Sequence, residues 1–171
     1  MKKSKALDFL RLAEEYFKAL QFLDQVYKDK VPDISQINTM DDFKKIKKHP
    51  GYPLLFEMIN VKLFLARHSL ELVLKSFLLH KGVNISELKN RKSYHHNIEK
   101  CYYSAKKFGL NIFKNSEEIR VKVFISELNK YWWDKIYEYP NKLIKGFSKY
   151  YLEIIKDIFV YVRKDILHNK N

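Results

Sequence analysis

The chain has 171 residues, with 33 Lys and Arg against 20 Asp and Glu and a formal net charge of +13. That length suits a single domain over residues 1–171 with a substantial core, and four glycines and four prolines leave few turns, which favours long helices. A single cysteine excludes an intramolecular disulfide and a Cys-cluster zinc site. No apolar run reaches the roughly 18 residues of a membrane span, and the basic start is followed by an amphipathic stretch rather than a signal core, so the expectation is a cytoplasmic protein.

The first helix is expected from about residue 4 to residue 28, with Ser4 as N-cap. Its apolar positions Ala6, Phe9, Leu10, Ala13, Phe17, Leu20, Leu23 and Tyr27 recur in steps of three and four. Val31-Pro32-Asp33 stops it, and residues 33–52 form a connector in which Thr39 starts a short helix. His49-Pro50-Gly51-Tyr52-Pro53 is the sharpest break in the chain. A second long helix follows, from Pro53 to Lys81, with Gly82 suited to a left-handed cap. It is apolar on nearly every side, which marks a central helix covered all round or covered partly by another subunit. A basic loop over residues 88–94 leads into a third helix, residues 95–108, stopped by Gly109. A fourth spans residues 116–136, with Ile119, Val123, Phe124, Leu128, Tyr131 and Trp132 as its buried stripe. Residues 137–141 make a turn. A last helix covers residues 143–167, with Phe147, Tyr150, Tyr151, Ile154, Ile155, Ile158, Phe159 and Val162 on its core edge. The fold class is all-α, an up-and-down bundle of about five helices.

Three charged residues interrupt the central helix. Arg67, Glu71 and Lys75 stand at i, i+4 and i+8, one above another on a single face. Charges inside an apolar helix are costly to bury unless each finds partners, so this ladder predicts a polar seam through the core. The alternative is a partly solvated stripe of i,i+4 pairs, the commoner arrangement for charged residues. The net charge carries a similar choice. It attracts polyanions, nucleic acids among them, and the same lysines also fit a biased composition rich in Lys, Ile, Asn, Tyr and Phe.

Three passages together resemble the HEPN family of small helical domains. Ala66-Arg-His-Ser-Leu-Glu71-Leu-Val-Leu-Lys75, continuing to Gly82, is similar to that family's Ala-x4-Glu-Leu-x-Leu-Lys helix. His96-Asn97-Ile98, with Cys101 and Ala105 after it, resembles its His-Asp/Asn-Leu element. Tyr139-Pro140-Asn141 falls where many members carry Arg-Tyr-Pro, with Glu138 in place of the arginine, so that arginine's role is not carried over. The resemblance covers roughly residues 58–168. It implies a HEPN-like bundle associated with RNA cleavage and with toxin–antitoxin pairs, and a partner such as an antitoxin or a nucleotidyltransferase.

A fourth passage, Arg163-Lys-Asp-Ile-Leu-His168, matches the family's Arg-x4-6-His motif, with Lys164 where Asn is common. The resemblance implies cleavage without metal or cofactor, His168 moving protons and Arg163 holding the phosphate, with a homodimer bringing two motifs together. The chemistry is coherent: imidazole exchanges protons near neutral pH, and a guanidinium offers a planar fork to phosphate oxygens. On a continuous helix, however, five residues turn the two side chains about 140° apart. The alternative is a solvated last turn whose cations complement the helix dipole. His96, at the start of the third helix beside His95, reads either as a phosphate or ligand site or as a polar residue fixing the loop. No histidine pair has metal-ligand spacing, and Cys101 reads as packing.

Overall fold

The computed structural model describes residues 2–27, 30, 39–90, 93–133 and 149–168. Among the described residues there are seven helices and no strand: α1 (Lys2–Tyr27), α2 (Met40–Lys47), α3 (Tyr52–His80), α4 (Ile85–Leu88), α5 (Ile98–Lys107), α6 (Asn115–Trp133) and α7 (Lys149–His168). The all-α expectation holds, while the count of five becomes seven. The short connector helix expected after Thr39 is present as α2, and the sequence reading missed only α4, a single turn too short to display any hydrophobic period. The turn at Tyr139-Pro140-Asn141 and the side chains of Phe147, Tyr131 and Trp132 lie outside what is described.

Local chemistry sets the ends of these helices. Thr39 and Asp42 form a capping box: the Thr39 hydroxyl accepts from the Asp42 amide at 3.1 Å, and the Asp42 carboxylate accepts from the Thr39 amide at 3.0 Å. Gly82 and Gly109 both adopt φ of +99°, the left-handed region that favours glycine. After α3 the Val83 amide donates to the Leu78 carbonyl, and after α5 the Leu110 amide donates to the Ala105 carbonyl, each at 3.0 Å. With the Gly82 amide donating to the Leu79 carbonyl and the Gly109 amide to the Lys106 carbonyl, each at 3.1 Å, both helices have the paired closures of a Schellman ending. At the start of α3, a Cβ on Gly51 would run into the Lys30 carbonyl oxygen, so glycine is required there by close approach.

The core forms around α3, which packs against α1, α5 and α7. Pairs at both ends make α1 antiparallel to it: Lys62 reaches Asp24 at 2.7 Å, and the Ser76 hydroxyl donates to the Ala6 carbonyl at 2.7 Å. Phe17 of α1 stacks on Phe159 of α7 at 5.0 Å, and Phe124 of α6 on Tyr151 of α7 at 4.2 Å. The C-terminal half of α3 is enclosed through Leu70, Val73, Leu74, Phe77, Leu78 and Leu79, whereas Val61 and Phe64 in its N-terminal half are exposed.

The expected stripe on α6 needs correction. Ile119 and Val123 are 64% and 53% exposed, while Val121, Phe124, Ile125 and Leu128 are buried. Both sets have helical spacing, and they lie on opposite sides of the helix. The helix rotates to bury the set that includes Phe124, whose ring stacks against α7.

Candidate functional site

Arg67, Glu71 and Lys75 are 0%, 4% and 6% exposed. The solvated stripe is therefore excluded, and the polar seam is present. Glu71 is its centre. One carboxylate oxygen accepts from Lys75 Nζ at 2.5 Å, and the other accepts from Arg67 Nη1 at 3.2 Å. His96 Nδ1 lies 3.2 Å from that second oxygen. Arg67 Nη2 donates to the His96 backbone carbonyl at 2.6 Å. The four residues singled out from sequence as polar core or binding thus meet in one network.

The α5 end of this network is shaped by an unusual backbone. The third helix begins at Ile98 rather than at residue 95, because His96 takes φ of +54° and turns the chain. A non-glycine residue in that region is disfavoured unless its surroundings hold it. Here Arg67 grips the His96 carbonyl and Glu71 the imidazole. Asn97 then caps α5, its side chain accepting from the Lys100 amide at 2.8 Å, and the Ile98 amide donates to Asn129 of α6 at 3.1 Å. The ring of His96 is the part of the network nearest solvent, its side chain 29% exposed. The His95 ring lies beside it, tilted by 54°, with the ring centroids 3.9 Å apart.

Charge explains how the seam tolerates burial. Burial alone would raise the Glu71 carboxyl, but the Lys75 ammonium with its hydrogen bond, and then Arg67 and His96, more than offset this and hold it at about 2. His68, stacked on Phe64 at 4.3 Å and beside Tyr16, is lowered by burial, with Glu71 acting in the opposite sense. Burial pushes the Cys101 thiol up to about 12, and its Sγ contacts the Tyr94 carbonyl at 3.8 Å. A thiol held that high has almost no thiolate at neutral pH, so Cys101 is packing, as its sequence position suggested.

Arg163 and His168 lie elsewhere, on the exposed side of the last turns of α7. The helix runs through both, so their directions differ by about 140°. Arg163 is 63% exposed, with Nη1 3.5 Å from Glu14. His168 Nδ1 is 3.0 Å from the Lys164 carbonyl, within its own last turn. The pair is not brought together within one protomer, and neither member joins the buried network. Among the described residues, no three His, Cys, Asp or Glu side chains stand together as metal ligands.

Two further polar nodes were not singled out from sequence. Glu118 on α6 accepts from the Tyr102 hydroxyl at 3.1 Å and from Lys106 at 3.0 Å. Asp165 on α7 pairs with Lys81 at 2.8 Å and lies 3.5 Å from His80. Only the Glu118–Lys122 spacing had a local signal; the other partners are tertiary. Among the described residues no helix is long and apolar enough to cross a membrane. Comparison with protein-family models, with curated proteins and with solved structures finds no match to this chain.

Proposed function

We propose that this all-α chain is an RNA-binding protein of the HEPN kind, acting as a homodimer, with metal-independent endoribonuclease activity in a toxin–antitoxin or defence setting. The observation that carries the reading is the placement of Arg163 and His168: both are solvent-exposed on the last turns of one helix of a +13 chain. A phosphodiester can therefore approach either side chain without opening the core. In the reaction, imidazole takes the 2′-hydroxyl proton, the 2′-oxygen bonds to phosphorus as the P–O5′ bond breaks to leave a 2′,3′-cyclic phosphate, and the imidazolium returns its proton to the departing 5′-oxygen. Arg163 holds the phosphate oxygens as negative charge builds. The roughly 140° between the two side chains requires the arginine of one protomer to work with the histidine of the other.

The test is cleavage of single-stranded RNA in EDTA by wild type, His168→Ala and Arg163→Ala. Cleavage by wild type and loss of at least about 100-fold in both variants is expected for a proton-transfer group and a phosphate clamp. Equal activity in all three, or none in any, removes the ribonuclease claim.

A second reading is favoured by one specific feature, the contact of His168 Nδ1 with the Lys164 carbonyl, which ties the imidazole to the end of its own helix. Under it the protein is a non-catalytic interaction module that pairs with a nucleotidyltransferase or another partner protein. That reading expects a stable complex and no turnover.

A further inference from the structure

A groove runs along the seam between α1 and α7, away from the buried ladder. Its first part is an open depression of about 240 Å³ over Phe17 and Phe159, both largely buried, and the exposed Val160. Beyond Gln21 it continues into a second depression of about 300 Å³ beside Asp24, Gln25 and Leu152. The α1 positions from 14 to 25 give it a length of about 17 Å, three helical turns. Val160 is a large apolar side chain left 59% exposed there.

The charges on the rim are unevenly placed. Lys18, Lys156 and Arg163 surround the first part, against the single carboxylate of Glu14. Arg163 meets Glu14 only at 3.5 Å, and Lys156 forms no ion pair among the described residues. Lys18 pairs with Glu15 at 2.9 Å, and the carboxylates of Glu15 and Glu14 outweigh the repulsion from Arg163 there, which leaves Lys156 as the rim cation with no carboxylate against it among the described residues. At the far end stands Asp24, paired with Lys62. A row of phosphates is a poor match, since it carries charge at every step and would run past both Glu14 and Asp24 over an apolar floor. A helix can instead set apolar residues on the floor and confine its carboxylates to one end.

We propose that the α1/α7 groove docks an acidic amphipathic helix of a partner protein, its apolar stripe on Phe17, Phe159 and Val160 and its carboxylates on Lys18, Lys156 and Arg163. The inference goes beyond the ribonuclease reading and stands without it. Two antiparallel helices leave a seam into which the ridge of a third fits, and cations gathered at one end fix its direction.

The test is selection of a displayed library of randomised helical peptides, roughly four turns long, on the full chain. Binding of the selected peptides is then measured on wild type, Val160→Asp and Lys156→Glu. Both altered side chains are exposed, so the fold is retained and circular dichroism checks it. The expected result is enrichment of peptides with apolar residues at i, i+3 or i+4, and i+7 and with acids toward one end. Their affinity should fall at least about 10-fold in each variant, with scrambled peptides equally weak. A pool lacking that pattern, or one that binds both variants like wild type, overturns the proposal. So does a single-stranded RNA oligonucleotide whose binding drops with Val160→Asp while the peptides' does not. Val160→Asp leaves Arg163 and His168 in place, so RNA cleavage on the same samples separates this result from the fate of the ribonuclease reading.

Discussion

The ladder on α3 and the last turns of α7 use similar residue types and arrive at opposite situations. Arg67, Glu71 and Lys75 are locked together out of solvent with the half-buried His96 at their edge, every contact shared with Glu71 or with the His96 backbone. Arg163 and His168 face water, one beside a loosely placed carboxylate and the other against its own helix. Water makes the difference. In a low-dielectric interior an ion pair is strong and an unpaired charge is very costly, whereas at the surface both effects fade. The α3 cluster is therefore bound up with the stability of the fold and the α7 end is available to ligands.

The contrast is most exposed to refutation at Glu71. Removing its carboxylate leaves Arg67 and Lys75 buried without their anion, so Glu71→Ala is expected to lower unfolding free energy by about 3–5 kcal/mol in urea titrations. Thiol labelling gives an independent readout. Cys101, held at about 12 in the native protein, should react slowly with a disulfide reagent in wild type and much faster in that variant. A loss under about 1 kcal/mol would mean that the seam is solvated in solution.

Acid offers a second, somewhat smaller effect. Glu71 is depressed from an ordinary 4.5 to about 2, so its contribution is complete above pH 4.5 and disappears as pH falls toward 2. The depression corresponds to about 3 kcal/mol. Chemical denaturation of wild type across that window should show the loss, and Glu71→Gln should show a shallower acid dependence. Parallel acid profiles would place the proton uptake in other carboxylates.

At the other extreme, Arg163→Ala is expected to change stability by no more than about 0.5 kcal/mol, because an exposed arginine beside a single glutamate contributes little. Under the two proposals above, its effect is expected in RNA cleavage or in peptide binding. A large loss of stability there would erase the distinction between the two regions.

Several features could be read directly from residue order because their causes are local. The long helices follow from apolar positions three and four apart. Gly82 and Gly109 stop α3 and α5 because their left-handed backbone suits glycine, and Thr39 caps α2 by accepting from the amide of Asp42, whose carboxylate accepts in return from the Thr39 amide. The vertical alignment of Arg67, Glu71 and Lys75 is likewise a property of one helix. α6 shows where such reasoning stops: two apolar stripes compete on it, and packing against α5, α3 and the ring of Tyr151 on α7 selects the one containing Phe124.

Residue order alone is enough for the all-α class, the position of most helices and the existence of a charged ladder. Tertiary structure alone decided that the ladder is buried, that His96 completes it from 25 residues away, and that Arg163 borders a groove with α1 rather than standing beside His168. The physical reason is range. Helix periodicity and capping act within one or two turns of chain, whereas burial, ion-pair strength and groove shape depend on which distant segments the packed core brings together.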